Sequence, residues 1–151
     1  MARYQRKVIL KCTPSFAFAF VSDFRHTAEW DPLVQRADLL TPPPIGLGSR
    51  FLLTNRFPVP DLPYEIVEFQ APNRLTLRGE TSSFRYQDSI GFEEARGGTR
   101  VSYSAQLDFK GFFRLGSPML ALMFQRIGDD ALRGIEQAVN RAAPAESATA
   151  A

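Results

Sequence analysis

The sequence has few of the residues that staple or metallate small proteins, with one Cys and one His in 151 residues. One Cys closes no internal disulfide, and Cys12 with His26 falls short of an ordinary zinc ligand set, so no metal is expected. Cys12 ends a strand-like run beside Thr13-Pro14 and reads as a small buried apolar residue. No apolar run reaches the ~18 residues of a membrane span. The N-terminal run Met-Ala-Arg-Tyr-Gln-Arg-Lys leads into a strand pattern and lacks signal-peptide character, so the expected location is the cytoplasm. Charge of one sign is lacking too. Eighteen basic residues face 16 acidic ones, and the arginines are scattered along the chain. Nucleic-acid binding needs a concentrated basic stripe, so no nucleic-acid partner is expected. Lys is scarce beside Arg, three against 15, the usage of a GC-rich bacterial genome.

Familiar catalytic signatures are also missing. Gly46-Leu47-Gly48 precedes a strand, so no helix N-terminus follows it to hold a phosphate. His26 has Asp23 three residues before it as an orienting partner, but no Ser or Cys nucleophile shows supporting spacing. It reads as a helix-surface His. No cofactor is implied.

What the chain does have is apolar mass: 44% hydrophobic residues, among them 13 Phe. Such a length supports one core, and the Phe residues either fill it or line a cavity within it. Residues 1–142 read as a single domain, and the small-residue run 143–151 as a disordered tail. The pattern predicts a strand over Arg3–Cys12, a helix started by Thr13 and Pro14 and running to about Phe24, and a second short helix over Arg25–Trp30. Strands follow at Leu33–Leu40, Ser49–Arg56, Tyr64–Phe69, Arg74–Glu80, Phe84–Glu94 and Thr99–Phe109, and a long helix over Ser117–Ala142 closes the chain. Its apolar stripe is Leu120, Phe124, Ile127, Ala131, Ile135 and Val139. This order predicts an α+β fold: a seven-stranded antiparallel sheet with the long helix on one face and two short helices after the first strand.

Alternation assigns the sheet's faces. A final hairpin hinged on Gly97-Gly98, with Arg96 facing Thr99, sets Phe92 opposite Tyr103, Ile90 opposite Ala105 and Asp88 opposite Leu107. Val101, Tyr103, Ala105 and Leu107 then share the inward face with Tyr86, Ile90 and Phe92, joined by Leu75, Leu77, Phe51 and Leu53. The faces of Glu65 and Glu68 stay open. Two inward positions are polar, Asp88 and Asn55. A buried carboxyl either finds a partner or raises its pKa, and in a cleft it is a candidate site residue. Asp88 therefore contacts a ligand or sits near an open end bonded to water or a tyrosine. Tyr86 and Tyr103 either donate to a ligand or fill core with satisfied hydroxyls. Gly128, inside the long helix, marks tight packing or room for a ligand. Met119 and Met123 serve as core or as an adaptable wall.

Several segments, in order, resemble the polyketide cyclase/dehydrase-like branch of the START-like (SRPBCC) superfamily. They are Trp30-Asp31-Pro32 after two short helices, Gly46-Leu47-Gly48-Ser49-Arg50-Phe51, Tyr64–Phe69 with Pro72-Asn73-Arg74-Leu75, and Gly97-Gly98-Thr99-Arg100-Val101. The resemblance spans about residues 3–140. It implies a helix-grip fold, with an antiparallel sheet wrapped around the C-terminal helix and an apolar cavity between them. Relatives bind lipids, sterols, polyketides or hormones, and a minority catalyse cyclisation or dehydration. No catalytic residue carries over, and Trp30 falls at a position that packs or touches ligand.

Three functions are in view. The first is binding or carriage of a hydrophobic small molecule (lipid, polyketide or aromatic-like). Asn55, Tyr86, Asp88 and Tyr103 would orient it, and Trp30, Phe51, Leu53, Leu77, Ile90 and Met123 would wall it. The second is a polyketide cyclase or dehydratase with Asp88 as general acid/base, helped by Tyr86 or Tyr103. The third is a protein-interaction module with a filled cavity, with Phe112-Phe113 as a sticky surface or a lid.

Overall fold

Residues 2–111 and 118–143 are described in the computed structural model, the side chains of 118–121 excepted. Phe112 and Phe113, the Met119 and Leu120 side chains and the tail after 143 lie outside the described residues. Strand β1 (Ala2–Leu10) leads into helix α1 (Pro14–Ser22). Thr13 Oγ1 accepts from the Phe16 amide at 3.2 Å, and Pro14 fills the first helical position, where no N–H is needed. The helix ends two residues before the expected Phe24. Asp23 caps a new 3₁₀ turn over Phe24–His26 by accepting from the Arg25 amide. Helix α2 (Thr27–Trp30) follows, and Asp31 turns the chain by accepting from the Leu33 amide at 2.9 Å.

Six strands come next: β2 (Val34–Leu39), β3 (Arg50–Asn55), β4 (Leu62–Gln70), β5 (Arg74–Glu80), β6 (Phe84–Ala95) and β7 (Gly98–Phe109). They join β1 in one antiparallel sheet of order β1-β7-β6-β5-β4-β3-β2. Helix α3 (Pro118–Ala142) lies on its inner face. This is the expected α+β arrangement.

The inward assignments hold: Phe51, Leu53, Leu75, Leu77, Ile90, Phe92 and Val101 are all buried. Each such side chain contributes about 1.5–3 kcal/mol of burial. The register of the last hairpin is corrected. Ala95 pairs with Gly98, so Asp88 faces Ala105, Ile90 faces Tyr103 and Phe92 faces Val101. The turn sits one residue earlier than expected because Gly98 belongs to the strand. Its φ is +147° and a Cβ there would overlap the Leu10 carbonyl oxygen, so β1's end packs directly on it. The slip of two preserves the faces.

Strand β4 also explains why Glu65 and Glu68 resisted assignment. A bulge between Ile66 and Glu68 lets both side chains reach the outer face. Glu65 stands opposite Arg78, and Glu68 accepts from Thr76 Oγ1 at 2.8 Å. Tyr64, Ile66 and Phe69 are left facing in; the Phe69 ring packs on Phe18 with centroids 5.0 Å apart.

Helix α3 buries Ala131, Leu132, Ile135, Ala138 and Val139. Two glycines let it approach closely. A Cβ on Gly134 would overlap the Trp30 carbonyl oxygen, and one on Gly128 would lie 2.6 Å from the Tyr4 ring. Asn140 Oδ1 accepts from the Lys11 amide at 2.9 Å, and Tyr4 Oη donates to Asp129 Oδ1 at 2.7 Å.

Candidate functional site

Between α3 and the inner face of the sheet lies a cavity of about 190 Å³. Its wall includes Trp30, Leu53, Asn55, Tyr86, Asp88 and Tyr103, six of the positions singled out from sequence. Phe51, Leu77 and Ile90 do not reach it; they are 0–2% exposed and pack in the core beside it. Met123 is 51% exposed and lies outside the lining, so it is a surface residue of α3 rather than a wall. Helical spacing puts Phe124, Ile127, Gly128 and Ala131 on the cavity side instead.

Sheet geometry sets the polar part. Asp88 sits mid-sheet between Leu77 and Ala105, with Tyr4 next in the same row. Ala105 is small, and that leaves space above the carboxyl. Tyr103 is the diagonal neighbour of Asp88, within reach of a long side chain. Asp88 is 7% exposed. Burial pushes its pKa up to about 7, the interaction with the Tyr103 hydroxyl opposes the rise, the Asp31 charge adds to it and Tyr64 opposes it again. Burial likewise holds the Tyr64 and Tyr103 hydroxyls well above their ordinary pKa, with Asp88 adding to the effect. Both remain neutral donors.

The other two polar candidates are already committed. Asn55 Nδ2 donates to the Pro60 carbonyl at 2.8 Å, and Asp61 Oδ1 accepts from the Asn55 amide. Tyr86 Oη donates to the Pro63 carbonyl. Gly79 makes that possible, since a Cβ there would lie 2.6 Å from the Tyr86 ring. Both side chains therefore fix the connection between β3 and β4 and its entry into β4.

Among the lining residues that the sequence did not single out, three are titratable. Tyr64 was hidden by the bulge in its strand. Asp31 read as a helix stop, yet it lines the cavity, and burial raises its pKa against the pull of the Leu33 amide. Tyr4 lies on the first strand, where no polar position was singled out. Rings join the wall into a belt: Phe24–Trp30, Phe24–Tyr64 and Tyr64–Tyr86 have centroids 5.9, 5.2 and 4.8 Å apart, all near edge-to-face.

His26 is remote from this chemistry. Its Nδ1 lies 2.7 Å from the Phe20 carbonyl oxygen, and its ring stacks on Phe20 at 4.2 Å. Asp23, its expected partner, pairs with Arg25 at 2.7 Å instead. Cys12 is buried, and burial raises its thiol pKa to about 11, so it is inert packing. A larger concavity of about 560 Å³ lies on the outer face of the sheet. Its Glu80 already pairs with Arg85 and Lys110, and its lining residues are mostly charged or polar, so the inner cavity is the candidate site. Among the described residues no cluster could hold a metal, and no helix is long and apolar enough to cross a membrane.

Known proteins give the setting. The family described as polyketide cyclase / dehydrase and lipid transport matches residues 1–140. No curated protein matches by sequence. Among solved structures, a protein of Thermus thermophilus superposes with a TM-score of 0.77 at 16% identity, covering 94% of this chain and 99% of that one. A START superfamily protein from Mycobacterium smegmatis gives 0.77 at 12% identity, covering 93% and 99%. The di-domain ARO/CYC StfQ from the steffimycin biosynthetic pathway gives 0.69 at 12% identity, covering 90% of this chain and 49% of that one. The architecture is thus the helix-grip fold.

Proposed function

The chain belongs to the polyketide cyclase/dehydrase and lipid-transport family, and on that premise we propose that it binds and carries a small, largely apolar molecule in the cavity beneath α3. One observation carries the reading: a space of about 190 Å³ is kept open inside the core, walled by aromatic rings, with Asp88, Tyr103 and Tyr64 facing it. Sites for drug-sized ligands run to about 300–1,000 Å³, so the expected ligand is the size of one ring or a short chain. Covering about 150 Å² of apolar ligand surface contributes about 4 kcal/mol, which immobilising the ligand largely offsets, so polar contacts decide the affinity. Native mass spectrometry of the purified protein, with organic extraction, tests the reading. A co-purifying small hydrophobic molecule supports it. Failure of any single-ring compound to bind would overturn it.

A second reading has its own observation. A buried carboxyl with a pKa of about 7 beside two tyrosine hydroxyls suits a general acid/base for cyclisation or dehydration. Asp88→Asn should then abolish turnover and largely spare binding; turnover in that variant would remove Asp88 from the role. The third reading, an interaction module with a filled cavity, is disfavoured by the open volume.

A further inference from the structure

The described lining of the cavity contains acid but no base. Asp88 and Asp31 both line it, and no Lys, Arg or His appears among its described lining residues. Arg6 and Arg56, on flanking elements, are exposed and engaged by Asp129 and by the Pro32 carbonyl. An anionic ligand would bring a further negative charge beside the Asp88 and Asp31 carboxyls, with no described lining side chain to offset it. A neutral hydrocarbon would leave the carboxyls with hydrogen-bond donors alone, the Tyr103 and Tyr64 hydroxyls on Asp88 and the Leu33 amide on Asp31, and no countercharge. A protonated amine answers both problems, and the walls suit it: Trp30, Tyr64 and Tyr103 line the space, and aromatic rings attract cations.

We infer that the molecule bound beneath α3 is a small organic amine in its ammonium form, its charge held by Asp88 and Asp31 within the ring of Trp30, Tyr64 and Tyr103. This rests on the cavity being a ligand site and adds the ligand's charge. Binding is then linked to pH. A cation favours ionised Asp88, so amine affinity rises as pH rises through about 7 and levels off above it. The groups around Asp88 are Asp31 after α2, Tyr4 on β1, Tyr64 on β4, Tyr86 on β6 and Tyr103 on β7, and Asp130 of α3 acts on Asp31. All the tyrosines stay neutral across that range, so the carboxyls set the profile.

The test uses three probes of one size: benzylamine, benzyl alcohol and benzoate. A cavity of roughly 150 Å³ admits a benzene ring. Trp30 is the sole tryptophan, so its fluorescence reports the site directly. At about pH 8 benzylamine should bind on the order of tenfold tighter than benzyl alcohol, with benzoate weakest. At about pH 6 the amine should weaken several-fold while the alcohol does not change. Asp88→Asn should bring the amine down to the alcohol's level, and Asp31→Asn should reduce it in part. If the alcohol binds as well as the amine, or the amine's advantage survives both substitutions, the charge inference falls and the cavity reading stands. If none of the three binds, both fall.

Discussion

Replacing Asp88 by Asn should stabilise the protein at neutral and alkaline pH. The carboxyl is 7% exposed, and its pKa is about 7 in the fold, against about 3.9 in an unfolded chain. Between those values the folded state keeps the proton and the unfolded state has released it. Rising pH therefore favours unfolding, and stability falls from about pH 4 to about pH 7 before levelling off. The gap corresponds to about 4 kcal/mol at about 1.4 kcal/mol per pH unit. Local relaxation trims it, so about 3 kcal/mol is expected. Asn fills the same space without a charge to bury and escapes this loss. For a chain of this length, 1 kcal/mol moves Tm by about 2–4 °C, which predicts a Tm about 6–12 °C above wild type at about pH 8.5. The advantage should vanish near pH 4, where the wild-type carboxyl is protonated when folded. Thermal melts followed by circular dichroism across this range provide the assay. Parallel stability–pH curves for the two proteins, or a wild type more stable at high pH, would refute the account.

Three further perturbations follow from packing. Gly134→Ala should cost about 2–4 kcal/mol despite Ala's better helix propensity, because the new Cβ would overlap the Trp30 carbonyl oxygen and push α3 off α2; denaturant melts measure it. Tyr4→Phe should cost about 1 kcal/mol by deleting the 2.7 Å bond to Asp129, and an equal loss in an Asp129→Ala background, where no acceptor is left, would show that the bond is not its source. Ala105→Leu should fill the cavity between Asp88 and Tyr4, weaken benzyl alcohol binding at least tenfold and raise Tm by burying about 2 kcal/mol of new apolar surface; calorimetric titration and a melt separate the two effects.

Much of the fold was legible because strands have a period of two. Phe51, Leu53, Leu75, Leu77 and Ile90 declare an inward face by alternation alone, and a register error of two residues cannot move them off it. What alternation does not reveal is where the count breaks. The bulge after Ile66 puts Glu65 and Glu68, three residues apart, on one face and turns Phe69 inward. Gly98 looked like turn chemistry, and its glycine is required instead by the backbone at the end of β1, which passes directly against it. His26 and Asp23 have the right spacing to pair, but Arg25 lies nearer in geometry and reaches Asp23 first.

The site was legible only in outline, and the reason is general. Alternation identifies a polar side chain on an apolar face, but it does not identify the partner, and the partner decides the role. Asn55, Tyr86, Asp88 and Tyr103 looked equivalent in sequence. In the fold the first two direct their hydrogen bonds to the carbonyls of Pro60 and Pro63 and so hold the connection between β3 and β4 in place. They are structural because the chain returns to them. Asp88 faces Ala105 across the strand, a residue too small to cover it, and its row leads under α3, where Gly128 contributes no side chain. The chemistry of the site is therefore set as much by what Ala105 leaves out as by what Asp88 brings in. The carboxyl kept in such a space is met by the Tyr103 and Tyr64 hydroxyls, and burial raises its pKa to about 7, so a proton or a bound molecule can decide its charge.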